Sequence, residues 1–187
     1  MKKIILIAGP SGAGKTTISE YLQKNYDIPR VITHTTRPMR PGEKDGVDYY
    51  FENDESFAQL HFFEHVKYGN YQYGSSKEAL DKIWKNHDLV SLIVDIQGVK
   101  SYLSQLKGEV YFLYVTTSTV DELKERLIRR GDSIESVRQR LSGSELNKLP
   151  EDLKQISHVL INDKWQKTTS SWEKVWALRK SREIPLT

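Results

Sequence analysis

Cysteine is absent from the 187 residues, which excludes a disulfide framework, a thiolate zinc site and a cysteine nucleophile. Long apolar runs are absent as well. None approaches the ~18 residues that a membrane span needs, so a soluble chain with no membrane partner is expected. Met1-Lys2-Lys3 followed by Ile4 to Ala8 begins like a secretory leader. That apolar run is too short for one and Gly9 ends it, so the cytoplasm is the expected compartment. Apolar residues are few, at 37% against the ~45–50% of ordinary domains. Aromatics at 10% still supply the bulk for a packed core, which argues against wholesale disorder. A strong charge of one sign is also missing. The 28 Lys and Arg against 25 Asp and Glu leave +3, spread along the chain. That is short of the basic stripe of a nucleic-acid binder, so no nucleic-acid partner is expected, but it suits small anionic substrates.

What is present is one domain's length of alternating signals. Ile4-Ile5-Leu6-Ile7-Ala8 is continuous and β-branched, as a strand buried on both faces would be. Leu89 to Val94, Val110 to Val115 and His158 to Ile161 read likewise, and Arg30 to Thr33 is a shorter candidate. Ser75-Ser76-Lys77-Glu78 and Ser170-Ser171-Trp172-Glu173 both fit a capping box at a helix start. Strands alternating with helices imply βαβ units and a parallel sheet. Residues 34–75 break the rhythm with Pro38, Pro41, Gly42, Gly46, Gly69 and Gly74 and several tyrosines, and read as an insertion of short strands and turns. Residues 124–148 hold Lys124, Arg126, Arg129, Arg130, Arg138, Arg140 and Lys148 around Gly131-Asp132-Ser133, and read as two polar helices joined by a turn. Trp172, Val175 and Trp176 have the spacing of a core-facing helix.

Gly9-Pro10-Ser11-Gly12-Ala13-Gly14-Lys15-Thr16 matches G-x-x-x-x-G-K-[ST] in full. It follows a buried-type strand and precedes a helical pattern at Ile18, Tyr21 and Leu22. Such a loop turns backbone N–H groups onto phosphate oxygens, and the helix behind it aims its positive end at the same anion. Lys15 would reach the β/γ-phosphates of ATP, and Thr16 would offer its hydroxyl to Mg²⁺. Gly9, Ser11, Gly12, Ala13, Gly14, Lys15, Thr16 and Thr17 are therefore the candidate ATP-binding loop. Leu92-Ile93-Val94-Asp95 has the form of the strand-ending acid that accompanies it. Asp95 reads either as part of a metal's water shell or as the N-cap of the next helix.

The acceptor side lies in the insertion. Arg37 and Arg40 stand three apart around Pro38, a rigid spacing of guanidinium forks suited to phosphate. Asp48-Tyr49-Tyr50-Phe51 and Gly69-Asn70-Tyr71-Gln72-Tyr73-Gly74-Ser75 add phenols, donors without charge. Glu64 after Phe62-Phe63 reads either as an acceptor for purine N–H groups or as surface. No Asn-Lys-x-Asp element of a GTPase is present.

The chain resembles the guanylate kinase family. The segments that carry the resemblance are Gly9 to Thr16, Thr35-Thr36-Arg37-Pro38 through Arg40-Pro41-Gly42-Glu43, Gly46 to Tyr49 and Phe63-Glu64-His65. Gly69 to Ser75, Asp95-Ile96-Gln97-Gly98-Val99, Arg126 to Gly131 and Ile161-Asn162-Asp163 continue it in the same order. The resemblance implies an α/β P-loop kinase fold: a five-stranded parallel sheet flanked by helices, with a small nucleotide-monophosphate-binding insertion and a helical lid. It places the core at about 1–32, 76–123 and 150–187, the insertion at about 33–75 and the lid at about 124–149 of a single domain. It implies ATP-dependent phosphorylation of GMP, and of dGMP, with Mg²⁺, by in-line phosphoryl transfer. Arg37, Arg40, Tyr49 and Tyr73 would hold the GMP phosphate, Glu64 the guanine N1 and 2-amino groups, and Thr33 and Ser75 its O6. Asp95 would sit near guanine, and through water near the metal. Lys15 and Arg37 with the lid arginines Arg126, Arg130 and Arg140 would be the catalytic cations, and Asn162 would lie beside adenine.

Three departures from the family pattern stand out. Ile93 replaces the first Asp of the usual Asp-Ile-Asp, Thr33 replaces a common Ser, and the lid is one residue short after Gly131. Three rival readings remain: a P-loop kinase with another small phosphorylated acceptor, a binding module without activity, and a nucleic-acid-dependent ATPase. A homodimer is left open.

Overall fold

The computed structural model describes residues 2–106, 108–142 and 148–181. The 143–147 stretch of the expected lid and the expected core end at 182–187 lie outside the described residues. The chain begins with β1 (Lys3–Ala8), α1 (Lys15–Tyr26), β2 (His34–Thr35), β3 (Tyr50–Phe51) and α2 (Asp54–Ala58). It continues with β4 (Phe62–Tyr68), β5 (Tyr71–Ser76), α3 (Lys77–Trp84), β6 (Leu89–Ile93) and α4 (Ile96–Gln105). Then come β7 (Val110–Thr116), α5 (Val120–Arg129), α6 (Ile134–Arg140), α7 (Glu151–Lys154), β8 (Ser157–Ile161) and α8 (Trp165–Ser181).

The unbroken apolar run of β1 is explained by burial on both faces. Ile4, Leu6 and Ala8 pack with Leu80, Val90, Leu92, Tyr102 and Phe112 on one side. Ile5 and Ile7 pack with Ile18, Leu22, Leu113, Val115, Leu160 and Trp172 on the other. Period-2 alternation thus divides one strand between two apolar layers. The sheet runs β6-β1-β7-β8, parallel throughout.

The fifth strand expected at Arg30 to Thr33 is reduced to a bridge. Ser91 N–H donates to the Pro29 carbonyl and Val31 N–H to the Ser91 carbonyl, both at 2.8 Å, so only Arg30 pairs with Ser91. Pro29 has no N–H to extend the ladder on one side. On the other, Thr33 and Thr35 already give their carbonyls to Tyr50 and Glu52 N–H groups. The chain leaves the first sheet for a second one.

That second sheet is ordered β3-β2-β5-β4. Its hairpin of β4 and β5 closes through Gly69-Asn70, with Gly69 at φ 59°, as a two-residue turn with glycine first requires. A polar chain runs through it. Ser76 Oγ and His34 Nε2 are 2.8 Å apart and His34 Nδ1 and Glu52 Oε1 2.9 Å. This has the order of a nucleophile, base and acid, but Ser76 is fully buried and also accepts the Ala79 N–H as the cap of α3. Its role is to tie β2, β3 and β5 together.

Two helix starts differ from the sequence reading. Ser76, not Ser75, caps α3 by accepting the Ala79 N–H, while the Ser75 hydroxyl is turned to Glu64; Glu78 instead takes the His61 N–H and ring. The Ser170-Ser171 signal falls inside α8, which begins at Trp165. Thr168 binds the Ile161 carbonyl and Asn162, and Trp172 is buried in the core, so packing fixes the helix upstream of its second cap pattern.

Candidate active site

The phosphate loop joins the end of β1 to α1, and its glycines are required by close backbone approach. Gly9 has φ 143°, and a Cβ there would stand 1.9 Å from the Val115 carbonyl oxygen. Gly14 is the left-handed N-cap of α1. Asn162 locks the loop from below, its amide donating to the Ala13 carbonyl at 2.8 Å and its Oδ1 accepting from Thr168 at 3.1 Å. Asn162 is buried. The structure therefore gives it a loop-supporting position rather than a free amide beside a base. No side chain caps α1, so its first N–H groups face the loop as an anion site. Thr16 and Thr17 are exposed in its first turn.

Lys15 folds back onto that loop, donating to the carbonyls of Gly9 at 2.8 Å and Pro10 at 3.0 Å. Burial, then the charges of Arg130 and Arg140, lower its pKa to about 8. Arg140 does reach the loop: its Nη1 lies 3.5 Å from Ser11 Oγ. Arg130 pairs with Asp132, and Arg140 Nε is 3.8 Å from the same carboxylate. Arg126 is turned elsewhere, onto Glu122 at 3.1 Å and the Asn162 carbonyl at 2.6 Å. Two of the three expected lid arginines thus gather over the loop, and the third braces the end of β8.

The insertion gathers a second cluster. Arg37 is buried, with its guanidinium 5.6 Å from the Tyr49 ring centre; Tyr49 packs on Tyr73. Glu43 grips the Arg37 fork with both oxygens at 2.7 and 3.0 Å and also accepts the Arg40 N–H at 2.7 Å. Those bonds hold the Glu43 carboxyl below the usual range. Sequence reasoning placed Glu43 in the motif without a role; its spacing six residues after Arg37 was the available signal.

Glu64, Ser75 and Asp95 form a third group. A register shift between Phe62 and Glu64 bends β4, and bulges of this kind re-aim side chains. Ser75 Oγ donates to Glu64 Oε1 at 3.1 Å. Burial pushes the Glu64 carboxyl up, the Ser75 bond pulls it back, and the Asp95 charge adds to the rise. Asp95 caps α4 through Gly98 N–H at 2.7 Å. Thr33 stands just before β2, its carbonyl taken by Tyr50 N–H at 2.8 Å. Tyr102, which sequence reasoning did not single out, is fully buried behind this group.

For Mg²⁺ the donor set is narrow. Among the described residues no three His, Asp or Glu side chains form a metal cluster, and Ile93 packs against the apolar layer of Ile5 and Leu113. Thr16 hydroxyl in the first turn of α1, and Asp95 with one oxygen already capping a helix, fit an ion carried in by phosphate oxygens and water.

A phosphate loop on a central parallel strand, overhung by arginines and opposed by a second cation cluster on a separate sheet, defines a P-loop phosphotransferase. The comparisons narrow that class. The chain belongs to the guanylate kinase family, whose model, described as "Guanylate kinase", matches residues 1–177. It is 35% identical over 188 residues to a guanylate kinase of Clostridium perfringens (strain 13 / Type A), covering 96% of this chain and 84% of that one. It is 32% identical over 180 residues to one of Legionella pneumophila (strain Lens), covering 92% and 84%. The crystal structure of guanylate kinase from Anaplasma phagocytophilum superposes with a TM-score of 0.64 over 99% of this chain and 88% of that one. At 21% identity it attests the fold. No helix among the described residues is long and apolar enough to cross a membrane.

Proposed function

We propose that the chain transfers the γ-phosphoryl group of ATP to GMP, and to dGMP, giving ADP and the guanosine diphosphate. The observation that carries this reading is the layout of β5. Tyr73 and Ser75 stand two apart on one face of the strand, about 7 Å along it, with Val66 and Glu64 paired opposite them. Tyr73 belongs to the Arg37 cluster and Ser75 to the Glu64 cluster. One strand therefore carries a phosphate end and a base end for a single nucleoside monophosphate.

The chemistry asks little covalent help of the protein. An oxygen of the GMP phosphate attacks the γ-phosphorus in line, the bond to the β–γ bridging oxygen breaks, and ADP leaves with that oxygen's electrons. Lys15, Arg130 and Arg140 would offset the charge spreading over the transferred group, and Arg37, Arg40, Tyr49 and Tyr73 would fix the acceptor phosphate. Arg126 would act from its brace at the end of β8, and Asn162 by holding the ATP loop in shape. Mg²⁺ bound with ATP, beside Thr16, would neutralise phosphate charge. Glu64 would accept from guanine N1–H and the 2-amino group, with Asp95 beside it and Thr33 and Ser75 by O6. The insertion at about 33–75 and the lid at about 124–149 would close over the substrates and exclude water.

The test is an ADP-coupled assay with MgATP against GMP, dGMP, AMP, CMP, UMP and no acceptor. Turnover confined to GMP and dGMP is expected. Turnover with another acceptor alone, or with none, overturns the guanine assignment.

A further inference from the structure

Behind the guanine end of the site lies a polar atom that the mechanism above does not use. Tyr102, on α4, is fully buried, its ring stacked on Phe63 at 4.4 Å and 25°, yet its hydroxyl has no hydrogen-bond partner among the described residues. A buried polar group of this kind is costly unless a partner arrives. Ser75 is the polar group near enough to act on the phenol as a hydrogen-bond partner and Glu64 acts on it by charge, but the phenol oxygen stops short of hydrogen-bond geometry with both. The helix is pinned at this point: Ser101 Oγ and Gln105 Nε2 donate to the Phe63 carbonyl at 2.5 and 3.0 Å. Tyr102 is therefore held against the bulge that presents Glu64.

Proton counting then assigns the phenol a task. Ser75 has one hydroxyl hydrogen, which in this structure goes to Glu64 Oε1. A guanine ring brings two donors to Glu64, at N1 and the 2-amino group, and an acceptor at O6. Binding frees the Ser75 hydrogen from Glu64 and offers it O6. The lone pairs of Ser75 Oγ stay open to the adjacent phenol O–H whichever acceptor that hydrogen serves, and a phenol donating to them leaves Ser75 its own hydrogen to give O6.

We propose that Tyr102 is a specificity-determining positioning residue: its hydroxyl donates to Ser75 Oγ when the base is bound, fixing the Ser75 hydroxyl as a donor toward the purine 6-position. With that polarity fixed, a 6-oxo purine is paired, and a 6-amino purine sets a donor against a donor. The inference rests on the GMP reading and deepens it, by naming what reads the 6-position.

Tyr102→Phe removes one oxygen and leaves the stacked ring. The measurements are kcat and KM for GMP, IMP and ATP, the competitive inhibition constant of AMP, and the melting temperature. KM for GMP and IMP should rise together by about fivefold, the weight of one net hydrogen bond. The kcat and the KM for ATP should stay within twofold, and the AMP inhibition constant should stay level or fall as Ser75 becomes free to turn, so the GMP-over-AMP preference falls. The variant should melt no lower than the parent, since it loses an unpartnered group. In a Ser75→Ala background the same change should add nothing, because Tyr102 acts through Ser75. An unchanged KM for GMP overturns the proposal, and so does an AMP constant that weakens in step with GMP. A shift in the GMP-to-IMP ratio also overturns it, since IMP shares the 6-oxo group and lacks only the 2-amino group. If the parent protein itself fails to phosphorylate GMP, it is the underlying reading that falls.

Discussion

The two ends of the site keep their cations in opposite states. At the acceptor end Arg37 is already paired, both nitrogens of its fork on Glu43. At the donor end Lys15 rests only on two carbonyls while Arg130 and Arg140 press their charge on it, and its pKa falls to about 8. On the proposed reading one cation would be preorganised for a monoanion or dianion, while the other would sit among like charges until a polyanion relieves it. Such a site gains most from the substrate of higher charge, which at the donor end is ATP.

Cutting each end separately should break the reaction in different ways, with the largest effect at the donor end. Lys15→Met is expected to lower kcat by about 10²–10³-fold, as loss of a charge-stabilising donor does, with the KM for GMP little changed. At the acceptor end, Glu43→Gln leaves Arg37 without its carboxylate brace and should raise the KM for GMP about tenfold, with the KM for ATP unmoved. Steady-state kinetics with each substrate varied in turn checks both. A Glu43 variant whose defect lies in the KM for ATP would erase the distinction between the ends.

The same contrast predicts two pH limbs of opposite sense. Lys15, lowered to about 8, loses its proton as pH rises through that value, and MgATP binding should weaken by up to about tenfold per unit above it. Binding near pH 8 should then take up a proton, which calorimetry in buffers of different ionisation enthalpy detects. Glu64 is raised by burial and the Asp95 charge, so it protonates earlier than an ordinary carboxyl as pH falls. The acid limb should therefore appear in kcat/KM for GMP. The alkaline limb should appear in kcat/KM for ATP.

Legibility in the sequence also divides along chemical lines. The phosphate loop and the strands at Lys3–Ala8, Leu89–Ile93 and Val110–Thr116 could be read because burial on both faces leaves continuous apolar runs and close approach leaves glycines; the edge strand Ser157–Ile161 keeps an apolar run although Val159 and Ile161 are exposed. The strand at Arg30 could not, because whether Pro29 ends a ladder depends on where Ser91 lies. Asn162 illustrates a second limit: an amide under the loop and an amide beside a base are the same letter. The hydroxyl of Tyr102 is a third, since an aromatic on a buried helix face signals packing, and only the neighbours show that its oxygen lacks a partner. Counter-ions such as Glu43 and Asp132 were visible as residues but not as partners, because pairing is set by the turn that brings them round.

Asp132 gives the finest test of the comparison. Among the described residues it is the acidic group that sits with the lid arginines beside Lys15, pairing with Arg130 and standing 3.8 Å from Arg140 Nε. That pairing holds its carboxyl below the usual range, so it stays ionised at neutral pH and partly screens the two arginines from the lysine. Asp132→Asn keeps a similar shape and removes the screen. Both guanidinium groups then turn their full charge on the loop, which should lower the Lys15 pKa further and strengthen the demand for an anion. Because both arginines are about half exposed, at 54% and 43%, solvent limits the gain. MgATP should bind about two- to threefold more tightly at low salt, and the difference should fade as the screening length shrinks from ~10 Å at 0.1 M to ~3 Å at 1 M. Glu43→Gln at the other end, where the carboxylate braces its arginine instead of screening it from neighbours, should move affinity in the opposite direction. If both neutralised carboxylates weaken binding of their own substrate, Asp132 is a brace like Glu43, and the unrelieved charge at the donor end resides in Lys15 alone.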